Sequence, residues 1–338
     1  MNVFLNDYND LCHERVLERI TEVNPKGNVG YGFDTYTDRA KKLIKRDLKR
    51  EDVEIEFLSG GTIANIIAIT SNLMPYEGII AADSGHINAH EAGSIEATGK
   101  KIETVATEDG KLNSLSIRKK YSQLSEEFTV SPKLVYISQT TELGTVYSLE
   151  EIKDIYATCK ELDCYLYIDG ARMAVGLAAS DVQVEDLCSI CDIFTLGGTK
   201  NGAIYGEALV IVNDALKKNI RRYMKQRGAV LAKGFILGAQ FEALFEDGLY
   251  YELGKTSYER SIHLAQSLRD MGVKFYAEPQ SNQVFILYPT EKIQGLAENN
   301  SFEVSPYSED EKILRFVTSY RTTPEEIDNL IADLKKIN

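Results

Sequence analysis

The sequence predicts an α/β fold: a doubly wound, mostly parallel seven-stranded sheet followed by a small C-terminal α+β domain. Two observations carry this. Seven short apolar runs recur between residues 53 and 212, most of them separated by segments of helical periodicity, and strands that alternate with helices build a parallel sheet. Beyond residue 250 the rhythm changes to one long helix, several short strands and a closing helix. The expected division is a large domain over 1–250, whose N-terminal segment can pack on the small domain, and a small domain over 251–338.

The seven strand runs are Val53–Leu58, Gly78–Ala82, Ile102–Ala106, Lys133–Ser138, Cys164–Ile168, Asp192–Leu196 and Glu207–Val212. The last follows its predecessor too closely for a helical crossover, so one antiparallel member is expected there. Among the helices the clearest start is Ser148, an N-cap followed by an acidic first turn with Glu151 at the capping-box position. A long helical stretch is expected over Gly228–Phe245 and another over Tyr251–Met271. The small domain reads as strands at Val273–Tyr276, Val284–Tyr288, Phe302–Val304 and Ile313–Thr318, with a final helix over Pro324–Ile337.

At 338 residues and 43% hydrophobic, the chain can bury a sizeable core and exceeds the usual single-domain length. A net charge of −13 argues against a nucleic-acid or anionic-membrane partner. No apolar run approaches the ~20 residues of a membrane span. Residues Met1–Tyr8 hold no basic stretch, so a cytoplasmic protein is expected. Five cysteines, an odd number, fit a reducing compartment better than a disulfide framework. Cys188 and Cys191 have metal or redox spacing, but a lone pair at a helix-to-strand junction reads as core packing.

Two strand ends carry the chemistry. Asp169 closes the fifth run, and Lys200 follows the sixth in Leu-Gly-Gly-Thr-Lys. Taken singly, such a lysine is a solvated loop residue and Asp-Gly a turn. Taken together they face one crevice, because open parallel sheets bind ligands outside the carboxyl ends of their strands. That layout suits pyridoxal 5′-phosphate: the amine forms a Schiff base with the cofactor aldehyde, and the carboxylate keeps the pyridine nitrogen protonated.

Three further features agree. Gly60-Gly61-Thr62 makes a strand-to-helix turn whose backbone N–H groups and hydroxyl suit a phosphate, although glycines also serve tight turns. His86, one of four histidines, follows the second strand and can stack on a flat ring. With His90 it forms an i, i+4 pair, but Asp83 and Glu91 do not complete a recognisable ligand set, so no metal is expected. Arg315 shares a strand face with Ile313 and Val317 and needs an anion, either a substrate carboxylate or an internal acid.

The order Tyr31-Gly-Phe-Asp, Gly60-Gly-Thr-Ile-Ala-Asn, His86 with Glu91-Ala-Gly, Asp169-Gly-Ala-Arg, Thr199-Lys200 and Arg315-Phe-Val-Thr resembles the low-specificity threonine aldolases. These belong with the β-eliminating lyases in the aspartate aminotransferase fold, fold type I. The resemblance implies Lys200 as the covalent lysine, Asp169 at the pyridine nitrogen and His86 on the ring. Gly61 and Thr62 would hold the phosphate, with Gly60 and Thr199 as further cofactor-binding residues. Arg172 and Arg315 would bind the substrate carboxylate or cofactor oxygens, and Tyr31 would lie at the edge.

There are departures. The relatives' second histidine is replaced by Glu142 or Thr141, and an N-terminal serine by Asn6. A family arginine gives way to Val230-Leu231, flanked by Arg227 and Lys233. The expected reaction is cleavage of L-threonine or L-allo-threonine to glycine and acetaldehyde, with Glu142 a candidate base or only a turn residue. The alternative is a β-eliminating lyase or aminotransferase on the same scaffold; a non-catalytic relative would have lost Lys200. A homo-oligomer, dimer or tetramer, is expected because enzymes of this fold complete their sites across subunits.

Overall fold

The computed structural model describes residues 1–337, and within it the seven runs form one sheet. The strands are β1 (Glu54–Leu58), β2 (Glu77–Ala82), β3 (Ile102–Val105), β4 (Ser131–Ser138), β5 (Tyr165–Asp169), β6 (Ile193–Gly197) and β7 (Glu207–Ile211). Their order across the sheet is β1-β7-β6-β5-β4-β2-β3. Every pairing is parallel except the two made by β7, which runs against β6 and β1. The expected antiparallel member is therefore Glu207–Ile211.

Side chains leave each strand alternately. Val135, Leu166, Phe194 and Val210 enter one core, and Tyr136, Tyr167, Ile193 and Leu209 enter the other. Both faces are covered by helices, so the strands are apolar throughout rather than alternating with polar residues. The helix from Leu149 to Glu161 starts as expected. The Ser148 hydroxyl accepts the Glu151 N–H at 3.2 Å, and the Glu151 carboxylate accepts the Ser148 N–H at 2.8 Å. Such a cap contributes about 1 kcal/mol.

Two strand ends require glycine. A Cβ on Gly170 would stand 2.0 Å from the Thr195 carbonyl oxygen, and one on Gly197 2.4 Å from that of Ala171. With neither Cβ present, the turns after β5 and β6 press together and the Gly197 N–H reaches the Gly170 carbonyl at 3.0 Å.

A second core gathers Leu264, Leu268, Ile286, Leu314, Phe316 and Leu330. It is built from β8 (Gln283–Pro289), β9 (Glu303–Pro306) and β10 (Glu311–Val317), in the order β9-β10-β8, with the helices Leu249–Asp270 and Pro324–Ile337. Phe4 is buried in the same core, and Asn2–Val3 pairs in parallel with Asn300–Ser301. The N-terminal segment thus packs on the C-terminal elements.

Three expectations need correction. Val273–Tyr276 makes a single bridge, Phe275 with Ile286, rather than a strand, and Pro279 just beyond has no N–H to extend the ladder. Phe302–Val304 is split, because Phe302 turns inward between Ser301, which pairs with Val3, and Glu303, which pairs with Arg315. The helix predicted over Gly228–Phe245 covers only Phe235–Phe245. Gly228 takes a φ of 74° and the Ala229 N–H returns to the Met224 carbonyl, which ends the preceding helix.

Candidate active site

The carboxyl ends of β1, β2, β4, β5 and β6 meet the amino end of β7 at one edge of the sheet. Their loops enclose a cavity of about 310 Å³. Gly60, Gly61, Thr62, His86, Glu142, Asp169, Arg172, Thr199 and Lys200 all line it, so nine residues singled out from the sequence converge on a single place.

Lys200 presents its amine to the cavity with no hydrogen bond to the protein among the described residues; the Tyr8 ring lies 6.0 Å away. Burial and then the Arg172 guanidinium push the amine below its ordinary range, while Asp7, Asp169 and Glu207 pull the other way. Asp169 is fixed on both oxygens. Its Oδ2 accepts the Tyr136 hydroxyl at 2.7 Å and the Asn65 amide at 3.1 Å, and its Oδ1 accepts the Ala171 N–H at 3.0 Å.

The Asn65 amide also reaches Glu91 Oε1 at 2.7 Å, and Glu91 Oε1 lies 2.9 Å from His86 Nδ1. The contact with Glu91 raises the His86 imidazole above its ordinary value, against the effect of burial. Glu142 lies on the other side of His86. Its Oε1 accepts the His86 backbone N–H at 2.9 Å and the Ser138 hydroxyl at 2.8 Å. Burial pushes this carboxyl up, and the Ser138 bond works against that.

Opposite these residues the Gly61–Thr70 helix points its start at the cavity. Its N-cap, Gly60, supplies no side-chain bond, and a Cβ on Gly60 or Gly61 would meet no atom within 4 Å. The first N–H groups of the helix are therefore open to an anion.

Arg172 is largely buried and held by Asp7, through Nε at 2.7 Å and Nη2 at 3.1 Å, so Nη1 and the second Nη2 hydrogen are left to donate to a ligand carboxylate. Burial opposes the Asp7 charge, but Arg172 and Lys200 outweigh it and keep that carboxyl below its ordinary value.

Three residues assigned from sequence lie outside the lining. Asn6 turns its Oδ1 back to the Tyr8 N–H at 3.0 Å; Tyr8 lines the site instead, and Asp7 is bonded to Arg172 behind it. Tyr31 lines a separate, smaller cavity, where its carbonyl accepts Arg221 Nη2 at 2.7 Å. Arg315 is bonded to Glu303, its cross-strand partner, and to Gln283, so an internal acid answers its charge. Arg227 and Lys233 are exposed.

A model of the β-eliminating lyases matches residues 16–290. The chain belongs to the β-eliminating lyase family. A low specificity L-threonine aldolase of Pseudomonas sp. is 29% identical over 337 residues, 98% of this chain and 96% of that one. The structure of a threonine aldolase from Leishmania major superposes with a TM-score of 0.98 at 40% identity, covering 100% of this chain and 99% of that one. An aspartate aminotransferase of Thermus thermophilus matches with a TM-score of 0.73 at 14% identity, over 100% of this chain and 92% of that one, which shows the shared fold.

This lyase uses pyridoxal 5′-phosphate, and its residues fit that group. An unbonded amine, an uncapped helix start and the Asp169 carboxyl border the same cavity. The Thr140 hydroxyl, buried there without a partner, is a further group awaiting a ligand.

Sequence reading gave no site role to Asp7, Tyr136, Ser138 or Glu207, and none to Asn65 beyond its place in the glycine-rich motif. The signal for Tyr136 and Glu207 was a polar group inside an apolar strand run, which requires a buried partner. Cys188 and Cys191 are buried, and burial pushes the Cys188 thiol to about 11 and that of Cys191 higher, in keeping with core packing.

Proposed function

We propose that this lyase cleaves a β-hydroxy-α-amino acid, L-threonine or L-allo-threonine, to glycine and acetaldehyde. The observation that carries the reading is Glu142, a half-buried carboxyl fixed through Oε1 beside His86 in the cavity that holds Lys200 and Asp169. Identity of 40% along the whole of a Leishmania major threonine aldolase supports it.

When bound at Lys200, the cofactor supplies the electron sink for breaking the Cα–Cβ bond. The protein does the rest. Gly60, Gly61, Thr62 and Thr199 would hold the phosphate, Asp169 would keep the pyridine nitrogen protonated, and His86 would stack on the ring. Arg172 takes the substrate carboxylate through Nη1, with Arg315 set behind it. Glu142 accepts the β-hydroxyl proton as the aldehyde leaves, and a proton added at Cα gives glycine. Asn6 acts by setting the turn that presents Tyr8, and Tyr31 acts at a subunit contact.

No helix is long and apolar enough to cross a membrane among the described residues. We place the enzyme in the cytoplasm as a homo-oligomer, dimer or tetramer. It is built from a large domain over 1–250 and a small one over 251–338. The test is purified protein with cofactor and each threonine isomer: release of acetaldehyde and glycine is expected, and keto acid or pyruvate without acetaldehyde would favour an aminotransferase or β-elimination instead. Borohydride reduction followed by peptide mapping is expected to label Lys200.

A further inference from the structure

One buried carboxyl in this cavity has no part in the chemistry above. Glu207 is 4% exposed, opens β7, and pairs with Gly197 on one side and Leu58 on the other. The strand's reversed direction brings its first residue, not its last, to the ligand edge of the sheet. The Gly198 N–H reaches Glu207 Oε2 at 3.2 Å, and no lysine, arginine or histidine forms an ion pair with it among the described residues.

The connection from Lys200 to Glu207 is closed at its neck. The N–H groups of Gly198 and Thr199 both donate to the Gly206 carbonyl, at 3.0 and 3.1 Å, and the Gly206 N–H returns to the Thr199 hydroxyl at 2.9 Å. Thr199 and Gly206 are the chain neighbours of Lys200 and Glu207, so the two side chains are fixed into the same cavity.

A buried carboxylate without a cation costs several kcal/mol, so the group stays neutral or shares its charge with a nearby amine. Other charges here are already answered. Arg172 pairs with Asp7, and Asp169 is bonded to Tyr136 and Asn65. Of the remaining groups near the pair, Tyr8 faces the Lys200 amine, while Thr199 and Tyr250 flank Glu207. The Lys200 amine and the Glu207 carboxyl thus line one cavity without a direct bond, and Asp7 and Asp169 act on the same amine.

We propose that Glu207 is an electrostatic partner of Lys200, a positioning residue whose charge, acting across the shared cavity, sets how readily the lysine amine gives up its proton. As carboxylate, Glu207 stabilises the ammonium form of Lys200 across the cavity; as carboxylic acid it gives no such support. Burial raises Glu207 to about 8 and lowers Lys200, so the two proton affinities move toward each other. The inference rests on Lys200 being the covalent lysine, and not on which amino acid is cleaved.

The test uses cofactor-free protein and no substrate, so its failure is distinct from a failure to release acetaldehyde. Lys200 is labelled with fluorodinitrobenzene across a pH series and quantified by peptide mapping, with exposed Lys153 as the internal reference. Removing the carboxylate in Glu207→Gln is expected to lower the pH at which Lys200 becomes reactive by about one unit or more, with Lys153 unmoved. An unchanged Lys200 midpoint overturns the proposal. Should Glu207→Gln fail to fold, infrared difference spectra of the Glu142→Gln protein serve, since Glu142 then adds no band. A protonated carboxyl that titrates together with Lys200 labelling supports the pairing, and the absence of such a band overturns it.

Discussion

The backbone N–H of His86 donates to the Glu142 carboxylate at 2.9 Å, joining two residues 56 positions apart in the chain. A histidine after β2 and an acid after β4 are thereby fixed relative to each other before any ligand arrives. From His86 the bonds run through Glu91 and Asn65 to Asp169, then through Tyr136 and Ser138 back to Glu142. The Ser138 hydroxyl lies 2.8 Å from Glu142 Oε1 and 3.3 Å from the Tyr136 oxygen, and its single proton can serve one of them at a time.

Glu142→Gln is expected to lower kcat/KM for threonine cleavage by about 10²- to 10⁴-fold, the usual worth of a positioned base. Exchange of the glycine α-proton involves no hydroxyl and should survive nearly unchanged. Equal losses in the two rates would make Glu142 a structural residue.

Because burial raises the Glu142 carboxyl, the acid limb of kcat should lie above the ordinary carboxylate range. The Ser138 hydroxyl favours the charged form, so Ser138→Ala should raise the carboxyl further and move that limb to higher pH. A pH–rate profile of the variant that stays in place, or moves down, would contradict this.

The Glu91 contact keeps His86 protonated to a higher pH than a free imidazole, whose reference value is 6.5. A group raised on folding adds stability that is full below the unfolded value and is lost as pH rises through the folded one. Glu91→Gln should therefore lower the His86 midpoint and remove that increment at acid pH. With four histidines in the chain, the His86 ring can be followed by NMR titration.

Tyr136→Phe deletes one of the two side-chain donors to Asp169 Oδ2. A hydrogen bond to a charged group contributes about 1.5–3 kcal/mol, so the Kd for pyridoxal 5′-phosphate should rise by roughly 10- to 100-fold. Equilibrium dialysis of the cofactor-free variant would show this directly.

Asp7→Ala leaves the buried Arg172 guanidinium without its anion. Breaking a buried pair from one side costs about 3–5 kcal/mol. The variant should unfold at clearly lower denaturant concentration, and a substrate carboxylate analogue should recover part of the loss by binding Arg172.

Tyr31 and Phe33 are exposed hydrophobics, and Arg227 and Lys233 are exposed cations with no role within one chain. They fit a contact with a second copy, so light scattering should find a dimer or larger assembly. A fully active monomer at assay concentration would remove that reading.

The order of apolar runs was enough to predict the seven strands, the antiparallel Glu207–Ile211 and the convergence of Lys200, Asp169, His86 and the Gly60–Thr62 turn. These follow from local rules, since strand ends and glycine-rich turns are properties of a few adjacent residues. Of the three corrected elements, two were ended by local residues, Pro279 and Gly228, and one was set by neighbours distant in sequence. Phe302 turns inward because Val3 and Arg315 pair on either side of it, and Arg315 faces Glu303 because β9 lies alongside β10. Asp7 on Arg172, Tyr136 on Asp169, and Glu207 beside Lys200 likewise join positions between seven and 165 residues apart. Only the packed sheet decides which buried polar group answers which, because a side chain's partner is fixed by strand order and register, and neither is written in the local pattern of the chain.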